Sequence, residues 1–360
     1  MKLFALLCFL ILGSYRADAR TIAILGDSIS TGAVSHPAIS YEPGKLSAVF
    51  SGELSLEPTE GHKKALLGSP YGDVLAGGPP RRLSFSQREF VGGMDWFLQH
   101  ILFGLSALFL DVEEFSWGNL LGRRLGAQGE DILIAAQDGA RVANTKRQYD
   151  RVLDATLGKA PEDVFVFFTG NDLCGLSMDY VTSSQSYEAS LLDFLEYFQK
   201  SSSFSGEHRV WLLDPISSLQ LTYSKSIAEK KVQAHGRTMS CRELHGYESR
   251  SPVGDDVLLR FVPPTPTSYC PTVLRRKTPE DEERLSQLGS IVSGYREAIG
   301  RIVAGYQTDP KPFRVLRLQD PGKVVLEADD IAEDCFHLSL NGQIKLADAA
   351  YMSMKGQGLN

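Results

Sequence analysis

Apolar and polar positions along the chain follow two periods. Residues 22–25 read IAIL, without the polar alternation of a half-exposed strand, which predicts a strand buried on both faces. Runs of the same kind stand at residues 131–136 (DILIAA), 164–168 (VFVFF), 210–213 (VWLL) and 313–318 (FRVLRL). Between them, apolar residues recur at helical spacing over 117–125 and 187–198. The longest helical pattern opens at Thr278-Pro279-Glu280, a capping residue followed by Pro at the first helical position. It continues with Leu285, Leu288, Val292, Tyr295, Ile299 and Ile302 on one stripe. Strands alternating with helices predict an α/β domain, a parallel sheet covered on both faces whose sites form at the carboxyl ends of its strands.

Two segments break this alternation. Residues 36–114 are rich in Gly and Pro, then turn strongly apolar over 94–110 (MDWFLQHILFGLSALFL). Residues 224–277 are polar, contain Pro, and hold Cys241 and Cys270. Both read as insertions within a single domain of residues 20–360. The apolar stretch fits a buried helix or an apolar lid, since Trp96, Phe97, Leu98, Ile101, Phe103 and Leu105 are too crowded for one narrow stripe.

The first residues add a compartment. A Met-Lys start, an uncharged apolar run over 3–13 and Ala17-Asp18-Ala19 have the form of a signal peptide spanning 1–19. The expected mature chain is secreted, to an extracellular, periplasmic or secretory-pathway lumen. Hydrophobic residues at 43% supply a full core, and a formal net charge of −7 lacks the basic face that nucleic acid requires. Cys8 falls in the leader, leaving Cys174, Cys241, Cys270 and Cys335, an even number that in an exported chain predicts two disulfides. Zinc at Cys241, His245 and Cys270 is the weaker reading, because no paired C-x-x-C supports it.

The first strand stops at Gly26-Asp27-Ser28. Either Asp27 or Ser28 caps the following helix, or Ser28 is a nucleophile on a strand-to-helix turn. A nucleophile needs a base, an orienting partner for the base, and donors for an oxyanion, each from another strand end. Residues 164–168 are followed by Thr169-Gly170-Asn171-Asp172, where the Asn171 amide is a candidate oxyanion donor. Residues 131–136 are followed by Gln137-Asp138-Gly139-Ala140, where Gly139 can turn a bare backbone N–H to the same point. Beyond 313–318 stands Asp334-Cys335-Phe336-His337. An Asp three residues before a His can hold one imidazole nitrogen while the other takes the serine proton. Asp27 and Asp172 read as loop braces. His36, His62, His100, His208, His235 and His245 show no metal spacing and read as structural or exposed.

These blocks, in this order, resemble the SGNH (GDSL) hydrolases: Gly26-Asp27-Ser28 with Gly32, then Gly139, then Gly170-Asn171-Asp172, then Asp334-x-x-His337. The resemblance spans residues 21–354 apart from the two insertions. Gly170-Asn171-Asp172-Leu173-Cys174 and Asp334-Cys335-Phe336-His337 are closest in wording to the phospholipase B-like branch. Ile29 replaces the Leu of the nickname, and Thr169 stands where Gly is usual. The resemblance implies a three-layer flavodoxin-like fold with a parallel sheet of about five strands. It further implies a secreted serine esterase or lipase with Ser28 as nucleophile, His337 as base, Asp334 as its partner, and an oxyanion hole of Ser28 N–H, Gly139 and Asn171. No cofactor or metal is implied. Phospholipids or lysophospholipids are the implied substrates, with transient membrane-surface contact. A carbohydrate O-acetyl esterase, and a non-catalytic binding module, are the alternatives.

For the disulfides, Cys241 and Cys270 share one insertion and are the first expected pair. Cys174 and Cys335 each follow a motif at one edge of the sheet and are the second.

Overall fold

The computed structural model describes residues 20–32, 35, 79–83, 113–175, 177–234, 237–246, 270–276, 278–308 and 311–358. The expected signal peptide and the apolar stretch 94–110 lie outside the described residues. In chain order the strands are β1 (Ile22–Gly26), β2 (Arg81–Arg82), β3 (Ile132–Ile134), β4 (Asp163–Phe167), β5 (Arg209–Leu213), β6 (Lys231–Ala234), β7 (Arg237–Ser240) and β8 (Arg314–Leu318). Every residue of β1, β3 and β4 is buried, odd and even positions alike, so both faces of the sheet centre are covered. That is why these strands show as unbroken apolar runs.

One sheet runs β2-β3-β1-β4-β5-β8, with every pairing parallel. Without β2, the order in chain sequence is 2-1-3-4-5, compatible with a flavodoxin-like sheet. The order reverses at β1, opening a crevice beyond the carboxyl ends of β1 and β4. In register, Gly26 lies beside Phe167, so the segments after both strands leave the sheet at one level. The strand β2 is an addition to the expected set of about five. It falls within the segment expected as an insertion, and its two arginines carry no apolar run to mark it. A separate antiparallel hairpin pairs β6 with β7 inside the second expected insertion.

The helices that place the site are α1 (Ser28–Thr31), α2 (Trp117–Arg124), α3 (Thr145–Thr156), α4 (Gly170–Leu173), α5 (Ser184–Ser201), α6 (Cys241–Gly246), α7 (Pro279–Tyr306) and α8 (Leu340–Lys355). Helices α3, α5 and α7 pack together as one group, and α2 packs on α8 as another. At α7 the Thr278 signal forms a capping box with Asp281, and the apolar stripe is buried. Helix α2 lies close against β1, since a Cβ at Gly118 would stand 2.7 Å from Cγ1 of Ile24. Trp117 then meets Phe165 and Phe167 edge-on, while Phe165 stacks on Trp211. Each such buried aromatic contributes about 4–6 kcal/mol of gross apolar burial before entropy is subtracted.

The disulfides correct the expected pairing. Cys174 joins Cys270, and Cys241 joins Cys335, with Cα atoms 4.4 and 5.4 Å apart. Neither Cys241–Cys270 nor Cys174–Cys335 forms, because the second insertion contributes to two separate places. The hairpin turns Cys241 and α6 against the loop holding Asp334 and His337. Cys270 instead starts the short helix Pro271–Leu274 beside the end of α4, where the Thr272 hydroxyl donates to Leu173 O. Closing loops of 96 and 94 residues restricts the unfolded chain, and losing one such bond costs typically about 2–5 kcal/mol. Non-reducing peptide mapping should recover the Cys174–Cys270 and Cys241–Cys335 peptides; a Cys241–Cys270 peptide would contradict this arrangement.

Candidate active site

The turn after β1 is forced by crowding. A Cβ at Gly26 would lie 2.4 Å from the Phe167 carbonyl oxygen and 2.3 Å from Ser30 Oγ, so only Gly fits. Gln148 of α3 grips the same residue. Its Oε1 accepts from Gly26 N–H at 2.8 Å, and its Nε2 donates to Gly26 O at 2.7 Å. Asp27 is the N-cap of α1, its Oδ1 accepting from Ile29 N–H at 3.1 Å. The capping role therefore belongs to Asp27, and the Ser28 hydroxyl is left for another partner. Three further bonds fix α1. Trp117 Nε1 donates to Ser30 Oγ, Thr31 Oγ1 donates to Asp138 Oδ1, and Gln343 Nε2 of α8 donates to Ile29 O.

The partner of Ser28 comes from the other end of the chain. His337 Nε2 lies 2.9 Å from Ser28 Oγ, and His337 Nδ1 lies 2.5 Å from Asp334 Oδ2. The other Asp334 oxygen accepts from the backbone N–H groups of Phe336 and His337, at 3.0 Å each. Burial works against the charge on Asp334. The His337 charge and these hydrogen bonds outweigh it and hold the carboxyl below its ordinary 3.8. Burial likewise opposes the imidazolium of His337, but the Asp334 charge and hydrogen bond, with Asp138 and Asp27, raise it above 6.5. The geometry gives a hydroxyl, a ring nitrogen able to accept its proton, and a carboxylate on the far nitrogen.

Two further loops are tied by hydrogen bonds to the Ser28 turn. Gly139 sits after β3 in the left-handed region at φ 71°, exposed, with nothing within 4 Å of a Cβ position. Asn171 is in α4, directly after β4, and its Nδ2 is buried with no hydrogen-bond partner among the described residues. A buried amide left without an acceptor costs about 1–3 kcal/mol, so an unpaired donor here is a feature to be explained. Asp27 and Asp172 brace these loops. Asp27 Oδ2 accepts from Thr169 and Gly170 N–H at 3.2 Å, joining the Ser28 turn to the Asn171 segment. Asp172 accepts from Val142 N–H at 3.0 Å, joining that segment to the loop of Gly139. Burial pushes Asp27 up to about 6 and Asp172 up to about 7, with those backbone N–H bonds pulling the other way. Thr169 is buried, and its hydroxyl donates to Ile216 O at 2.6 Å.

Gln148 and Gln343 have structural roles at this site that sequence reasoning did not single out. Glutamines at helical positions carry no motif, whereas His245, expected as structural or exposed and more weakly as a zinc ligand, is structural. It is buried, with Nε2 2.9 Å from the Cys335 carbonyl oxygen. The zinc reading at Cys241, His245 and Cys270 falls, because the two cysteines belong to different disulfides. Among the described residues no helix is long and apolar enough to cross a membrane. The Ser28 turn, the Asn171 segment, the Gly139 loop and the Asp334–His337 loop are thus joined by hydrogen bonds. No family model matches the chain, and no curated protein matches its sequence.

Proposed function

We propose that the chain is a secreted serine hydrolase of the SGNH type, with a three-layer flavodoxin-like fold, that cleaves carboxylic esters through an acyl-enzyme. The observation that carries this reading is the unbroken path from Asp334 Oδ2 through His337 to Ser28 Oγ, at 2.5 and 2.9 Å. Ser28 Oγ attacks the ester carbonyl as His337 Nε2 takes its proton. Negative charge then grows on the former carbonyl oxygen, where Ser28 N–H, Gly139 N–H and the Asn171 amide donate. The unpaired Asn171 Nδ2 supports that assignment, because an oxyanion gives the buried donor the acceptor it lacks. One such donor is worth about 10²–10³ in turnover. His337 returns its proton to the leaving alcohol, and water, activated by the same ring, releases the acid. The motif wording at Cys174 and Cys335 favours phospholipid or lysophospholipid esters.

A fluorophosphonate probe tests the reading. It should label the protein at Ser28, at a rate that rises with pH because only neutral His337 can accept the serine proton. With the imidazole raised by Asp334, the midpoint of that rise should lie above 6.5. Absence of labelling, or labelling at another serine, would overturn the proposal. Turnover on p-nitrophenyl esters of graded acyl length beside phospholipids then separates a lipase from an acetyl esterase. A lipid-binding wall gains about 0.8 kcal/mol per buried methylene.

A further inference from the structure

Cys335 stands between Asp334 and His337 with φ at 61°, a left-handed conformation that residues with side chains rarely adopt. Within its own loop it is held only locally, its N–H donating to Ala332 O at 3.1 Å. The loop closes on itself through Ala332 N–H to His337 O at 2.8 Å and an Ile331–Leu338 bridge, and a further grip on Cys335 comes from outside the loop. Cys335 Sγ is bonded to Cys241, and the Cys335 carbonyl oxygen lies 2.9 Å from His245 Nε2. Cys241 and His245 are one helical turn apart on α6, so one helix face holds the residue at two atoms. A carbonyl oxygen can only accept, which requires the proton on His245 Nε2. Burial keeps that ring from charging, although the Cys335 carbonyl and the Asp334 charge favour the imidazolium.

The helix is fixed in turn. Cys241 N–H donates to Lys230 O at 2.9 Å, and Glu243 Oε2 accepts from the Ser240 hydroxyl at 2.7 Å. Lys230 reaches the same loop, bonding Ile331 O and pairing with Glu333 at 3.4 Å. Val232, Met239, Cys241, Leu244 and Cys335 form an apolar cluster separate from the main core. Cys335 therefore packs with the hairpin unit and not with the sheet.

We propose that the β6-β7-α6 unit is a clamp that imposes the shape of the Asp334–His337 loop, and that His245 is a positioning residue acting on His337 through the Cys335 carbonyl. This rests on the proposed role of His337 as base. Without the clamp, Cys335 can relax toward negative φ, and the Asp334 and His337 side chains on either side of it lose their common alignment. The charged groups facing His337 are Asp334 on its own loop, Asp138 after β3 and Asp27 after β1. Asp334 is the one whose contact depends on the loop.

The test compares wild type with H245M, which keeps bulk and lacks the donor, and H245Q, whose amide Nε2 can still donate. Two quantities are read: the His337 titration midpoint by NMR of 13C-labelled histidine, assigned with an H337N variant, and kcat and KM on a soluble ester. In H245M the midpoint should fall toward 6.5 and kcat should drop by roughly 10- to 100-fold, the scale of a misplaced catalytic group, with KM held within about twofold. H245Q should restore both. Should H245M fold poorly, the Cys241→Ala/Cys335→Ala variant removes the other grip and must shift midpoint and kcat in the same direction. An unchanged His337 midpoint with wild-type kcat in H245M, or in the double variant in its place, would overturn the clamp. Failure of H245Q to recover the midpoint would remove His245 as the donor. The midpoint is measured without substrate, so it reads the clamp even if wild type hydrolyses no ester, an outcome that would instead defeat the hydrolase reading.

Discussion

Ser28→Ala should leave the fold intact and remove ester hydrolysis. The hydroxyl makes one side-chain hydrogen bond among the described residues, to His337, and α1 takes its cap from Asp27. Losing one hydrogen bond costs about 1 kcal/mol. For a chain of this length, with about 2.1 cal/mol/K of unfolding entropy per residue, that is a shift of about 1–2 °C in Tm. The effect on turnover is far larger, because no neighbouring group can replace a nucleophile that forms the covalent intermediate. The expected loss in kcat is on the order of 10⁴ to 10⁶. Thermal melting alongside turnover on a soluble ester measures both. More than about a tenth of wild-type activity would eliminate Ser28 as nucleophile. An equally deep loss with a collapsed Tm would show only that the turn had been broken.

The contrast between those two residues of one motif shows what was legible in the sequence. Ile22, Ala23, Ile24 and Leu25 are all buried, and a strand buried on both faces has to be apolar throughout, so the core strands announce themselves. The blocks that follow them could be placed at one sheet edge because parallel strands end at one level. Helix α3 was not legible. The residues it buries include Thr145, Gln148 and Arg151, a largely polar set, and Gln148 is buried because it pairs with the backbone of Gly26. The disulfides were misread for a related reason. Chain proximity favoured Cys241 with Cys270, but a hairpin reverses direction within a few residues and carries Cys241 to a loop 94 residues further on. His245 carries no local signal either, since its partner is a carbonyl oxygen that every residue possesses. Asp27 and Asp172 also hold backbone, but they lie inside the motif blocks and were legible as braces; Gln148 and Gln343 do the same work from outside any block and were not.

Asp334→Asn should damage turnover almost as deeply while preserving the shape of the loop. The Asn oxygen can take over the N–H bonds from Phe336 and His337, which Asp334 Oδ1 accepts at 3.0 Å. The amide nitrogen must then face His337 Nδ1, where a carboxylate oxygen now stands at 2.5 Å. Two donors cannot share that contact, so the ring is driven to the tautomer with its proton on Nε2. Nε2 then donates to Ser28 Oγ and cannot accept from it. The expected loss is about 10⁴ in kcat near neutral pH, the scale of a triad held in the wrong tautomer. The stability profile should change with a definite sign. Asp334 is depressed, so its contribution is present above pH 3.8 and is lost as pH falls through its folded value. His337 is raised, so its contribution is full below 6.5 and is lost as pH rises through its folded value. The pair therefore stabilises the native state most between those two limits. Asp172 titrates in the same region but is common to both proteins and cancels in the difference, whereas Asp27 is coupled to His337 and adds to the change on the alkaline side. The Tm of wild type minus that of Asp334→Asn should peak between about pH 4 and 6.5 and shrink on either side. A difference flat across that range, or a variant keeping more than about a tenth of wild-type turnover, would remove Asp334 as the partner of His337.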